Sequence, residues 1–192
     1  MTALSRISLI KNVIRMAGWK LRYGKRLSGS LVQNFGKRSS IEIHKNGRLT
    51  LGKAIFSRSN TVIVVAGNGS CTIGNNVYFN NNCAVTAMEE IVIEDRVTIG
   101  NNTVIVDHDH DYRNQEAGHV VCSKVSIGAN TWIGANCVIL RGCQIGRDCV
   151  VAAGSVVMGS IPDHTIYYQK RETVCKPYDK QEQKKEELVQ AR

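Results

Sequence analysis

The chain has very little proline, few aromatic residues and no long apolar run. Two prolines and 6% aromatic residues among 192 leave few rigid breaks or bulky anchors, which suits a fold made of many short, similar turns. No stretch reaches the roughly 20 apolar residues of a membrane-spanning helix. The N-terminus lacks an uninterrupted apolar segment followed by a small-residue cleavage site, so a secretory signal is not expected and the cytoplasm is the default compartment. There are seven cysteines, but an odd number with no CxxC pair argues against a disulfide framework and for a reducing compartment. Acid is missing from the first forty residues. They hold nine Lys or Arg (Arg6, Lys11, Arg15, Lys20, Arg22, Lys25, Arg26, Lys37, Arg38) and no Asp or Glu, so the entire net charge of +9 resides there. No aromatic-studded nucleic-acid module accompanies this charge, and nucleic acid is not an expected partner.

What is abundant is a six-residue beat. Ile127, Ile133, Ile139, Ile145, Val151 and Val157 recur every sixth position, each followed four residues later by Thr131, Cys137, Cys143, Cys149, Ser155 and Ile161. The same beat runs through Ile73, Phe79, Val85 and Ile91, then resumes after a two-residue shift at Ile93, Ile99 and Ile105. A period of six fits neither a helix nor an alternating strand. It marks a parallel β-helix, whose coils are triangles of three short strands with one aliphatic per hexad inside, and with Gly and Asn at the corners. The expected organisation is a basic, partly helical segment over 1–40, the β-helix over 41–162, and a polar tail over 163–192. About five to six coils of about 18 residues follow from that length. Residues six apart then lie on different faces and only residues a full coil apart stack. Cys149 is expected over Thr131 and Cys137 under Ser155, so the cysteines read as small buried fillers.

Within the leader, Ile7, Ile10, Val13, Ile14, Ala17 and Leu21 fall on one helical arc, with Lys11, Arg15 and Arg22 opposite and Arg6 and Lys20 intruding. Three readings stand: a cap over the open end of the coil, a basic helix on an anionic membrane surface, or a site for an acidic polysaccharide or nucleic acid. The tail from Tyr178 to Arg192 is almost wholly polar and is expected to be solvated.

The beat stops between Val106 and Val125. The insert, 107–124, carries His108, His110 and His119 interleaved with Asp107, Asp109 and Asp111. A regular solenoid has no packing reason to expel so long a segment, and long loops on regular scaffolds carry function. Carboxylates beside an imidazole fix its tautomer and raise its basicity, as a general base requires. Three histidines also suit zinc, although here they share one extruded loop.

With these features the chain resembles the hexapeptide-repeat acyltransferases, which are left-handed parallel β-helices. Within them it is similar to the galactoside, maltose and nodulation acetyltransferases and their polysaccharide O-acetyltransferase relatives. The likeness runs from about Cys71 to Lys176. It implies an acetyl-CoA donor, no metal, a sugar acceptor and a homotrimer with CoA bound between subunits. Counting seventeen residues from Ile93, as in that family, gives His110 as the general base, and His110-Asp-Tyr also matches relatives from polysaccharide operons. A count of twenty-four back from Trp132 gives His108 as the alternative. Asn80 stands where the family holds its acceptor, and the acidic position eight further on is Met88, with Glu89 adjacent. Asn80, Glu89 and Asp107 are thus the candidate acceptor contacts. Trp132 matches the tryptophan lining the transfer channel, and Ala152-Ala-Gly-Ser-Val-Val matches the coil that takes the pantetheine. Trp132, Ala135, Ala153, Lys170 and Lys176 are the implied CoA contacts, with Arg171 beside them.

The implied chemistry is direct O-acetylation of a sugar hydroxyl, of a surface glycan or its precursor. N-acetylation of an amino sugar or sugar nucleotide would use the same base and coil. A zinc protein like the gamma-type carbonic anhydrases and a non-catalytic scaffold are the readings from other classes. For location, the cytoplasm stands beside peripheral contact of residues 1–25 with the inner face of the cell membrane.

Overall fold

A computed structural model of the protein describes residues 6–112 and 119–175. The loop tip 113–118, Lys176 and the polar tail 178–192 lie outside the described residues. One helix, α1 (Arg6–Tyr23), precedes a parallel β-solenoid with three faces. The first face stacks Leu27–Gly29, Arg48–Leu51, Ser70–Ile73, Glu90–Ile93, Val125–Ile127, Gln144–Ile145 and Ser160–Ile161. The second stacks Asn34–Phe35, Phe56–Ser57, Tyr78–Phe79, Thr98–Ile99, Trp132–Ile133, Val150–Val151 and Ile166–Tyr167. The third stacks Ser40–Ile43, Val62–Val65, Ala84–Ala87, Val104–Val106, Val138–Ile139 and Val156–Val157. Faces of seven, seven and six strands make six complete coils and part of a seventh.

Each strand presents alternate residues inward, and a parallel stack puts like beside like. On the first face Leu51, Ile73, Ile93, Ile127 and Ile145 form one continuous buried column. Each such side chain contributes about 1.5–3 kcal/mol on burial. The expected cysteine stacking is present: the Cys149 N–H donates to Thr131 Oγ1 at 3.1 Å, Val138 pairs with Val156 beside Cys137 and Ser155, and all seven cysteines are free.

The corners need left-handed backbone, which asparagine tolerates best among residues with a Cβ. Asn60, Asn82, Asn102 and Asn136 all have φ between 56° and 62°. They stack as a ladder in which each side-chain amide donates to the next carbonyl, at 2.8, 2.9 and 3.0 Å. Gly100 is required for a different reason. A Cβ there would stand 2.5 Å from the backbone of Gly134 and Ala135 in the next coil.

The solenoid extends beyond the expected 41–162. It starts at Leu27, which pairs with Leu49, and closes at Tyr167, which pairs with Val151. The reason lies in coil length. Leu27 to Leu49 and Leu49 to Cys71 are steps of 22, Ile73 to Ile93 is a step of 20, and Ile127 to Ile145 is a step of 18. The longer coils contain four-residue strands with two inward residues each, such as Ser40–Ile43 and Val62–Val65, so a hexad count slips past them.

Helix α1 covers the open edge of the first coil. From the helix, Tyr23 Oη donates to Ile41 O (2.9 Å), Arg15 to Gly36 O (3.1 Å) and Phe35 O, and Lys20 to Gly29 O, while Arg26, in the turn that follows it, donates to Ile43 O (3.2 Å) and Lys45 O (2.7 Å). Asn12 Oδ1 accepts the Phe35 N–H at 3.1 Å. Carbonyls on all three faces that no earlier coil could pair are thereby satisfied. Met16 is buried beneath the helix and Trp19 meets Phe35 edge-on at 5.4 Å. This docked face is not the expected apolar arc: Ile10, Ile14 and Leu21 are exposed, and the helix packs through Asn12, Met16, Trp19 and Tyr23 instead. The unpaired edge presents backbone carbonyls, so it selects the polar donors of the helix over its aliphatics.

Candidate active site

The insert leaves the solenoid where the third face turns into the first. Its neck is closed by the Ser123 N–H donating to Asp107 O at 2.8 Å. Beyond the neck, His108–His110 and Val120–Cys122 form an antiparallel stem in which His108 faces Cys122 and His110 faces Val120. The expelled segment is thus a built hairpin with fixed register at its base.

Asp107 organises this corner. Its side chain is fully buried, and it takes the backbone N–H of Met88 on Oδ1 (2.8 Å) and of Glu89 on Oδ2 (2.8 Å). Met88 and Glu89 form the bend between Ala84–Ala87 and Glu90–Ile93, one coil earlier. Two N–H groups that would otherwise be orphaned in a bend are satisfied by a carboxylate from the coil above. The same carboxylate meets His108, with Nδ1 and Oδ1 3.2 Å apart. An ionised Asp107 makes Nδ1 the donor, which leaves the Nε2 lone pair of a neutral imidazole available. The His108 side chain is 20% exposed, shielded yet reachable.

His110 is differently placed. It is exposed, and the aspartate beside it, Asp109, accepts its backbone N–H at 3.0 Å. It lines an open groove of ≈ 440 Å³ with Asp109, Asp111, Tyr112, Val121 and Arg141. Tyr112 and Arg141 are exposed side chains that sequence reasoning did not select; nothing in a hexad pattern distinguishes an outward arginine that meets a loop.

Asp107, expected to touch an acceptor, is closed off from one by its burial and its three protein donors. Its place is behind His108. Glu89 has an exposed side chain next to the pair and contributes its backbone N–H to it. Lys124 and Glu90 form an ion pair at 2.8 Å at the same corner, and the Glu90 contact holds the lysine pKa above its ordinary value. Burial, then the charges of Asp107 and Glu89, push the Cys122 thiol up, with Arg141 opposing. Cys71 is pushed up to about 12 by burial first and by Asp107 second.

The remaining sequence candidates gather at another corner, between the second and third faces. Asn80, Ala135 and Ala153 lie in turns at this corner, Ala135 and Ala153 in neighbouring coils and Asn80 two coils before Ala135, held by ladder bonds from Asn80 N to Ile99 O (2.9 Å) and from Gly154 N to Ala135 O (2.7 Å). Trp132 is on the second face between Thr98 and Val150, 56% exposed. Among the described residues, the N–H groups of Ala135 and Ala153 donate to no protein acceptor. Arg171 folds onto this column, its guanidinium donating to Gly154 O, while Gln169 bonds Val156 O at 3.0 Å. Lys170 is exposed beside it. Within one chain the candidates therefore fall at two corners, Asp107, His108 and Glu89 at one and Asn80, Trp132, Ala135 and Ala153 at the other. No group of three metal-ligating side chains forms among the described residues.

Residues 124–159 match the family model described as bacterial transferase hexapeptide (six repeats). Among solved structures, a point mutant of AntD, an N-acyltransferase from Bacillus cereus in complex with dTDP and coenzyme A, is similar at a TM-score of 0.66 and 20% identity. That likeness covers 92% of this chain and 96% of that one. A hexapeptide-repeat acetyltransferase from Vibrio cholerae O1 biovar eltor, complexed with acetyl coenzyme A, gives 0.49 and 23% over 84% and 80%. A maltose O-acetyltransferase from Clostridium difficile 630 gives 0.48 and 24% over 84% and 83%. A comparison with curated proteins finds no match. The likeness to AntD, which spans nearly the whole of both chains, shows the fold.

Proposed function

We propose that this protein is an acetyl-CoA-dependent acetyltransferase acting on a sugar hydroxyl, of a surface glycan or its precursor, with His108 as general base. The observation that carries this is the buried Asp107 carboxylate, anchored by two backbone N–H groups and directed at His108 Nδ1. The resemblance put His110 first and His108 as the alternative; among the described residues a buried carboxylate meets the His108 ring and none is bonded to the His110 ring, which favours His108.

In the proposed reaction His108 Nε2 takes the proton of the acceptor hydroxyl as that oxygen attacks the thioester carbonyl. Backbone N–H groups stabilise the tetrahedral oxyanion. The intermediate collapses, the C–S bond breaks, and the imidazolium returns its proton to the departing CoA thiolate. The products are acetylated sugar and free CoA. Cys122 is disfavoured as a nucleophile because its thiol is held protonated, which supports direct transfer. Ala135 and Ala153 would hold the pantetheine through their free N–H groups, Trp132 would wall the channel, and Arg171 with Lys170 would meet CoA phosphates.

The two separated half-sites support a homotrimer. Closed threefold packing is heterologous and sets unlike surfaces of neighbours against each other, so one subunit's His108 corner would meet another's Asn80–Trp132 corner. Free cysteines and the use of acetyl-CoA fit the cytoplasm.

A second reading has one specific support. AntD, similar in fold, is an N-acyltransferase, and other mutants of it were crystallised with dTDP-4-amino-4,6-dideoxyglucose. Here the attacking atom would be an amine, with the same base removing its proton. One experiment separates the two: acetyl-CoA is mixed with sugars, oligosaccharides and amino-sugar nucleotides, and thiol release is followed with mass analysis of each product. Acetyl esters support the O-transfer reading, acetamides the second, and no release with any acceptor opposes both.

A further inference from the structure

We propose that the outward face of α1 docks on the surface of an anionic lipid bilayer. The helix has two opposed faces. One, through Asn12, Met16 and Tyr23, is buried on the first coil. On the other, Ile10, Ile14, Ala17 and Leu21 follow one another at steps of four, three and four, which is a single helical stripe. Ile10, Ile14 and Leu21 are 59, 66 and 89% exposed. Leu31 and Val32 are also exposed, in the link between Leu27–Gly29 and Asn34–Phe35, the two strands on which α1 packs. The fold does not use these side chains, because its open edge is already covered by the opposite side of the same helix.

The charges beside the stripe select the occupant. Lys11 and Arg22 stand about a quarter to a third of a turn round the helix from the stripe and Lys25 lies just past its end; all three are exposed, and the first forty residues contain no acid to offset them. Lys20, which the sequence sets against the apolar arc, is drawn away to Gly29 O, and Arg15 is drawn to Phe35 O and Gly36 O. What remains is an aliphatic strip bordered by unopposed cations. That pattern fits a headgroup boundary, with aliphatics reaching the acyl region and cations meeting lipid phosphates and carboxylates. A second copy fits worse. A twofold contact between identical stripes would bring Lys11, Arg22 and Lys25 of one chain against the same cations of the other. Among the described residues no helix is long and apolar enough to cross a membrane, so α1 would lie in the plane of the surface. Its bonds to the first coil hold it in shape beforehand, which lowers the ordering cost of docking. None of this depends on the acyl-transfer reading.

The test mixes the full-length protein with vesicles of phosphatidylcholine containing phosphatidylserine, or of phosphatidylcholine alone, and sediments them. Binding to the anionic vesicles should be stronger by about ten-fold or more and should fall as salt rises. The double variant Ile14→Asp/Leu21→Asp, changed only at exposed positions, should lose at least about ten-fold of that binding while keeping the parent's thermal transition and mass in solution. The triple variant Lys11→Gln/Arg22→Gln/Lys25→Gln should lose it as well. Intact protein that stays in the supernatant with anionic vesicles overturns the proposal, as does equal binding to both vesicle types. An Ile14→Asp/Leu21→Asp protein that breaks down to a smaller oligomer would identify the stripe as a subunit interface and overturn it too.

Discussion

Replacing Asp107 with Asn removes one charge and one acceptor while keeping the side chain's shape. The carboxylate takes three donors on two oxygens: Met88 N–H, Glu89 N–H and His108 Nδ1–H. An amide keeps one oxygen, and its NH₂ must then face a backbone N–H or the imidazole. A donor opposed by a donor leaves a buried group unsatisfied, at about 1–3 kcal/mol, and the bonds that survive lose their charge assistance. The summed loss of stability is roughly 2–4 kcal/mol, a large part of a typical total but below it. At about 2–4 °C per kcal/mol for a chain of this size, the melting temperature should fall by roughly 5–15 °C. The variant should therefore be folded at 25 °C, where its kinetics are readable. His108 would lose the partner that fixes its tautomer, and kcat should drop by roughly 10²–10⁴-fold. Binding of acetyl-CoA should hardly change, because Ala135, Ala153 and Arg171 lie at a different corner. Differential scanning fluorimetry, steady-state thiol release and calorimetric CoA titration read the three effects separately. A variant with kcat within about three-fold of the parent would refute the idea that Asp107 positions the base.

Two further outcomes follow from the packing. A Cβ on Gly100 would lie 2.5 Å from the next coil's backbone, so Gly100→Ala should destabilise by about 1–3 kcal/mol as overpacking, measured by urea unfolding; a change below about 0.5 kcal/mol would show that the coils part easily. In thiol titration at pH 8, exposed Cys175 should react first, while Cys71, held near 12, and Cys137 and Cys143, raised by burial, should wait for unfolding; prompt reaction of all seven would contradict the buried columns.

The C-terminal half of the solenoid was legible because its coils are short. From Ile127 to Ile161 each two-residue strand buries one aliphatic, and the six-residue beat is the structure itself. The first coils contain four-residue strands with two inward residues each, as in Ile41 and Ile43 or Ile63 and Val65, and their longer steps hide them from a hexad count. The helix was legible as a helix, but the face that packs on the first coil is not its apolar arc. Its partner is an edge of unpaired carbonyls, which asks for Arg15, Lys20, Tyr23 and Arg26 and leaves Ile14 and Leu21 outside. At the site, the expelled His/Asp segment stood out because it broke the beat. The choice between His108 and His110 did not, since counting along the chain cannot see the Met88 and Glu89 N–H groups that fix Asp107 from the preceding coil.

One paired measurement tests His108 as the base most directly. Thiol release from acetyl-CoA, with an acceptor on which the parent protein gives release, is compared for His108→Ala and His110→Ala. Both residues lie in the same stem and both variants should keep the parent's melting temperature to within a few degrees. His108→Ala should lose roughly 10²–10⁴-fold in kcat, and His110→Ala less than about ten-fold. The reverse order, with His110→Ala inactive and His108→Ala near the parent, would contradict the assignment of the base to the histidine that Asp107 holds.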